Sequence, residues 1–528
     1  MSQNNQKFLM VCAAALLVMN PVQSWSQDVQ LSVPAADPLP VPTGTAPAAE
    51  AILKTQAATT NTVDTLNAAP VVPSVAPSVA AAPESVVTPT PTQVGSYNPR
   101  AVDRIINLRD AVAVGVLTNP ETEAVANNRR ATDEELKQAK ALYRPSIDMS
   151  ADTGFESIYS DPDGSVPGHS DLWRSQASLT LTQMLFDGFS TKYENARQFH
   201  RVRSAAHRVR ESSEYKGLDV IESYLDVLRQ RELMQIARDN LARHNEIMGQ
   251  IVESANAGRT TQADVEQTKA RVNAAEAQEA AVRESLATAE TNYRQIVGDF
   301  PQPDIQIPVA PRELLESSVE QEVKQALTHS PTIDIKEADV NVADAEREAA
   351  KSSFYPKVDF QAGAKVGDNL DGVEGRTQSG SALVIANWNL YRGGGDVARS
   401  REFVYRFAQA KDERNAAARA IEQDVRQTWA SMVSAADRAA AFRKQADANG
   451  MVVEAYKDQF NLDRRTLLDV LDSQNEWFVS RSNAINNGYL EMFAVYRLIA
   501  LRGDLLPTLG VSYPGEANPA FTSSQKKG

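Results

Sequence analysis

Cysteine occurs once in the 528 residues, at Cys12. Neither a disulfide framework nor a cysteine-ligated zinc site can be built from one thiol. Long apolar runs are also missing. The longest, residues 8–19, has 12 members, against roughly 20 for a membrane-crossing helix. A chain without such a helix can cross a membrane only as a closed β-barrel. Positive charge is in deficit, with 54 Lys and Arg against 68 Asp and Glu and a net −14. An acidic surface repels phosphate, which argues against a nucleic-acid partner. There are only five histidines, and none pairs at i, i+4 around a carboxylate as a zinc helix requires. His200 and His207 share a helical face and read as solvated. The basic run Arg201, Arg203, Arg208 and Arg210 reads as a solvated or partner-facing surface beside Glu211 and Glu214. Arg392-Gly393-Gly394-Gly395-Asp396 lacks a phosphate-loop lysine and reads as a strand-to-helix turn. No nucleophile–base set is found. The expectation is no enzyme, no cofactor and no metal.

What is present begins with an export signal over residues 1–26. Lys7 supplies the positive end, residues 8–19 the apolar stretch, and Ser24-Trp25-Ser26 a cleavage site. Its removal leaves no cysteine. Residues 27–98 hold eleven of the 26 prolines, with no aromatic before Tyr97. Such a Pro/Ala/Thr-rich linker cannot bury enough apolar surface to order itself. The segment 507–528 reads as a flexible C-terminal tail.

The remainder is one design written twice, over 102–300 and 316–505. An apolar-periodic segment reaches Pro120 in the first copy and Pro331 in the second. Each proline is followed 25 residues later by another, Pro145 and Pro356. A proline there ends a helix and turns the chain into an extended segment. Alternating sequence follows, closed by Leu185-Phe186-Asp187-Gly188 or Leu390-Tyr391-Arg392-Gly393. Proline is then absent over 190–257 and 396–462. Helices of that length extend about 100 Å and need neighbours throughout, as in coiled coils. Each ends near a turn, Gly258-Arg259-Thr260-Thr261 or Asp463-Arg464-Arg465-Thr466, before a second long helix.

The alternating segments predict two strands per copy, with hairpins at about 146–187 and 357–391. Val358, Phe360, Ala362, Ala364 and Val366 fall on one face, and Asp359, Gln361 and Lys365 on the other. Tip loops are marked by Asp161-Pro162-Asp163-Gly164 and by the turn residues of 368–375. Phe186, Phe189, Phe354, Tyr355, Trp388 and Tyr391 sit at the strand bases, as the interfacial girdle of a membrane barrel would. An antiparallel sheet of a soluble domain is the other reading. Four strands cannot close a barrel, since membrane barrels start at eight. Strands that enter lipid must therefore be shared among copies, and an open conduit needs three or more.

The doubled helix–hairpin–helix plan over about 102–505 resembles the TolC-type outer membrane factor family. The matching motifs are Leu185-Phe186-Asp187-Gly188, Gly258-Arg259-Thr260-Thr261 and Arg465-Thr466-Leu467-Leu468-Asp469-Val470-Leu471-Asp472. The stretch from Glu222 to Glu232 is similar to the type I protein-secretion branch. The resemblance implies a mainly α fold with a 12-stranded outer-membrane β-barrel in a homotrimer, continued by a long periplasmic α-helical barrel. It implies a periplasmic adaptor and an inner-membrane ABC transporter or other pump as partners, outer-membrane lipid around the barrel, and a passive duct for protein cargo. A small-molecule efflux duct is the alternative. A secreted coiled-coil structural protein is the alternative of another class.

The resemblance also implies a periplasmic aperture, whose matching positions are Asp469 and Asp472, with Arg465 as a lock and Asp264 from the first copy. Asp469 and Asp472 are three apart and share a helical face. Asp264 and Asp469 also fit the helix-capping box after Thr261 and Thr466, a purely local role. Where the family carries a tyrosine and a glycine near this motif, the chain has Phe460 and Asp463.

Overall fold

The computed structural model describes residues 105–160, 168–462 and 464–520. The signal, the linker, the Asp161–Gly164 tip, Asp463 and residues 521–528 lie outside the described residues. The elements run in chain order as α1 (Leu108–Thr118), α2 (Pro120–Ala141), β1 (Ser146–Ser160), β2 (Gly168–Phe186), α3 (Ser190–Asn256) and α4 (Gln262–Val297). The same series follows as α5 (Val319–His329), α6 (Pro331–Ala349), β3 (Lys357–Asp368), β4 (Arg376–Asn387), α7 (Gly395–Asn461) and α8 (Leu467–Arg502). A short α9 (Leu505–Thr508) comes last. Three helix pairs agree in length. α1 and α5 have 11 residues each, α3 and α7 have 67, and α4 and α8 have 36.

Local chemistry sets the boundaries. Asn107 caps α1, accepting from the Asp110 N–H at 2.8 Å, and Asn119 caps α2, accepting from the Glu121 N–H at 2.9 Å. Pro120 and Pro331 open α2 and α6 at the first helical position, where a missing N–H costs nothing. Pro145 and Pro356 each stand one residue before a strand. Gly298 and Gly503 end α4 and α8 in the left-handed region, at φ 100° and 77°.

α3 packs against helices of both copies. Its Val220, Ile221 and Tyr224 meet Val112 and Val116 of α1, Tyr293 of α4 and Leu498 and Ile499 of α8 in the main core. The Tyr224 hydroxyl donates to the Gln306 carbonyl at 2.7 Å, tying in the connector between the copies. Far along the same helix, Ile247 and Ile251 pack on Leu467, Val470 and Leu471 of α8. Between these clusters Trp477 of α8 lies under the Arg243 guanidinium of α3, 4.5 Å from ring centre to charge.

The four strands form one antiparallel sheet in the order β1-β2-β3-β4, so β1 and β4 are its edges. Cross-strand partners share a face, and the register sorts the side chains. Ile147, Leu181, Ala362 and Ala382 stand in one row, and Met149, Leu179 and Ala364 in the next on the same side. Ser150, Ser178, Lys365 and Ser379 form a row on the opposite side. There too Arg174 pairs with Asp152 at 2.9 Å and Glu156 at 2.8 Å. The five apolar and three polar β3 residues therefore divide between faces as the alternation predicts. β4 departs from this pattern: Leu383 and Ile385 stand on the polar side, opposite Gln361 and Asp359. The tip loop of the second hairpin leans on β2, where Asn369 donates to the Trp173 carbonyl at 3.0 Å and Ser170 to the Gly372 carbonyl at 2.9 Å.

Two expectations need correction. The second hairpin ends at Asn387 rather than 391. Beyond it the Trp388 indole donates to the Phe354 carbonyl at 3.3 Å, and Gly393 and Gly394 turn the chain at positive φ into α7. The segment after Leu506 is not a flexible tail as far as Ala520. Leu505 and Leu506 are fully buried, and Val511, Glu516 and Ala517 are buried too. The Glu214 carboxylate of α3 accepts from the N–H groups of Leu505 at 2.8 Å and Leu506 at 3.2 Å, and from the Tyr513 hydroxyl. Glu516 pairs with Arg130 of α2 at 2.7 Å. Gly217 of α3 gives room for this docking: a Cβ there would stand 2.9 Å from a Leu506 methyl, which would have to shift.

Candidate functional site

At the turns between the long helices the two copies use the same chemistry. Thr261 precedes α4, and its N–H and hydroxyl donate to Asp264 at 2.9 and 2.7 Å. Thr466 precedes α8 and donates to Asp469 at 3.2 and 2.8 Å. Each aspartate N–H donates back to the threonine hydroxyl at 3.3 Å, completing a capping box. These bonds favour the ionised acid. The Thr261 N–H, followed by its hydroxyl, holds Asp264 below the usual carboxylate range. The Thr466 hydroxyl, followed by its N–H and the nearby Arg465 charge, does the same for Asp469.

Arg465 acts inside its own hairpin. Its guanidinium stacks on the Tyr456 ring of α7 at 4.2 Å, donates to Gln459 at 3.2 Å and lies 3.7 Å from Asp469. Asp472, one turn further along α8, is exposed and pairs with Arg271 of α4 at 2.9 Å. This ion pair joins the second helix of each copy. Two further bridges join α3 to α7: Lys457 to Glu246 at 2.7 Å and Arg243 to Glu454 at 3.5 Å. Phe460 packs on the Ile247–Leu471 cluster. The structure thus brings Arg465, Asp469 and Thr466 together, sets Asp264 in the matching turn of the first copy, and gives Asp472 a separate partner.

Arg271 was not among the residues the sequence marked. A signal existed in the duplication itself. The first-copy position matching Asp472 is Gln267, and the second-copy position matching Arg271 is Glu476. Both members of the pair break the internal symmetry that Thr261, Asp264, Thr466 and Asp469 keep.

At the strand bases, Phe186, Phe189 and Tyr355 meet edge to face, with centroids 5.4, 6.5 and 6.0 Å apart. Phe186 pairs with Val358 across the sheet, so the cluster continues the apolar face. Gly188 permits the contact, because a Cβ there would lie 2.8 Å from that of Tyr355. Trp388 and Tyr391 are exposed and lie beyond β4.

The model of the family described as "outer membrane efflux protein" matches residues 117–299 and 323–504, the greater part of the chain and both copies. The chain belongs to this family of outer-membrane transport channels, and the outer membrane is its location. Among curated relatives, the outer membrane efflux protein BepC of Brucella suis is 27% identical over 71% of this chain and 80% of its own length. The alkaline protease secretion protein AprF of Pseudomonas aeruginosa is 24% identical over 61% of this chain and 69% of its own. The crystal structure of the outer membrane protein VceC from Vibrio cholerae has the same fold, with a TM-score of 0.63 at 15% identity, covering 77% of this chain and 97% of that one.

Proposed function

We propose that three copies of this chain form the outer-membrane duct of a tripartite export system, with a shared 12-stranded barrel in the membrane and the long helices in the periplasm. The observation that carries the reading is the open four-stranded sheet with one apolar face and two unpaired edges. In lipid an unpaired edge is untenable, and copies joined β4 to β1 remove every edge. The apolar row through Met149, Leu179 and Ala364 then meets lipid, and the row through Ser178 and Lys365 meets water. A periplasmic adaptor and an inner-membrane pump of the ABC type complete the system. The chain itself is a passive conduit.

Protein cargo is the preferred substrate class, on the Glu222–Glu232 stretch and the likeness to a protease secretion protein. The likeness to BepC, named for efflux, favours the small-molecule alternative. Asp469 and Asp472 would line the periplasmic aperture, Asp264 would face them from the first copy, and Arg465 and Arg271 would hold the coils closed. Phe186, Phe189, Tyr355, Trp388 and Tyr391 would mark the membrane interface.

Purified protein in detergent should run as a heat-modifiable trimer and give discrete conductance steps in planar bilayers. A stable folded monomer without conductance overturns the duct. In a deletion strain, loss of secreted protein at unchanged drug susceptibility supports protein cargo. The opposite pattern supports efflux.

A further inference from the structure

We propose that the base of the first hairpin is a seat for an anionic phospholipid headgroup, with Lys192 taking the phosphate and Phe186, Phe189 and Tyr355 bearing on the lipid below it. The inference rests on the reading that the apolar sheet face meets lipid. Lys192 is exposed in the first turn of α3, next to the aromatic cluster that ends that face. Its ammonium lies 5.8 Å from the Phe189 ring centre and 5.4 Å from that of Tyr193. Among the described residues it has no carboxylate partner. The nearby acids are engaged elsewhere: Asp187 accepts from the Thr191 N–H at 2.7 Å, and Glu194 pairs with Arg197 at 2.8 Å.

A cation held over aromatic rims at the edge of an apolar surface keeps three donors for an anion that arrives with apolar chains attached. An anionic phospholipid has that shape, whereas free phosphate has no use for the exposed rings. The second copy provides an internal comparison. Val397 stands where Lys192 does and Gly394 where Phe189 does, so the second copy does not repeat the seat.

The test uses the full chain in lipid nanodiscs with spin-labelled phosphatidylglycerol or phosphatidylcholine, read as the motion-restricted fraction of each. Wild type should hold phosphatidylglycerol about fivefold more strongly, the scale of one basic side chain at an anionic surface. Lys192→Gln should bring the ratio close to one, Lys192→Arg should retain it, and Val397→Gln should leave it unchanged. Equal retention of both lipids by wild type, or an unaltered ratio in Lys192→Gln, overturns the proposal. So does suppression by inorganic phosphate well beyond that caused by chloride at the same ionic strength, which would mark a free-anion site. Loss of the oligomer in Lys192→Gln at constant ratio overturns it too, by assigning the patch to contacts between copies. No motion-restricted lipid of either kind would remove the barrel itself.

Discussion

Thr466 and Thr261 carry a local task that can be separated from any role in a pore. Replacing either by Ala removes the hydroxyl that closes the box and should cost about 0.5–2 kcal/mol. Thermal melts and hydrogen exchange at the start of α8 or α4 read this directly. The aspartates in the boxes have lowered pKa values. Their contribution is therefore present above the ordinary carboxylate pKa and is lost as pH falls through the lower folded value. Amide protection at Thr261 and Thr466 should fade only in acid, below about pH 4. Asp472 makes no capping bond, and its ion pair with Arg271 is exposed. Such pairs contribute little to stability, so Asp472→Ala and Arg271→Ala should melt like wild type. If the turns close an aperture, Arg271→Ala raises resting conductance, and the Asp469/Asp472 double alanine variant weakens current block by a trivalent cation. Unchanged conductance and block would leave these residues with structural work only. The capping chemistry was readable from spacing alone. The Arg271 pair was not, because it depends on α4 approaching α8 at two residues 201 apart in sequence.

At the scale of elements, the C-terminal segment is where sequence reading fell short. Leu505 and Leu506 belong to a four-residue helix, too short to show periodicity, and their burial depends on a distant carboxylate on α3. Burial raises Glu214 to about 7, against the opposing bonds from Tyr513, Leu505 and Leu506 and the charge of Arg210. A raised pKa makes the stabilising contribution full below about 4.5 and lost as pH rises through about 7. Protection of residues 505–517, corrected for intrinsic exchange, should therefore weaken between pH 5 and pH 8. In Glu214→Gln the protection should not change with pH. The strands were more legible, because a period of two survives any register that keeps one face apolar. Ala362 lies in the middle of that face, between Leu181 and Ala382. Ala362→Arg should cost roughly 2–4 kcal/mol if the row sits at the bilayer midplane. Its assembly yield in detergent, beside that of Gln361→Arg on the polar face, tests the orientation. Equal tolerance at both positions would take β3 out of the membrane.

For the whole molecule, the duplication was the most legible feature, since it is carried by order and spacing rather than by any single residue. The paired prolines, the closing turns and the proline-free stretches all reappear as element boundaries. The edges of the sheet were also implied by the strand count, whereas the equal lengths of the long helices became visible only once both ends of each were fixed. That equality has a consequence for how such a chain can change. Removing one heptad from α3 alone would draw its turn back by about 10 Å. Arg271 would then miss Asp472, and Ile247 and Ile251 would lose their places on Leu467 and Leu471. A tolerated change of reach must therefore be made four times over, in the outgoing and returning helix of both copies. Length here behaves as a single inherited quantity written in four places, and a chimera that mixes halves from coils of unequal length should fail to assemble even when every residue at its junctions is kept.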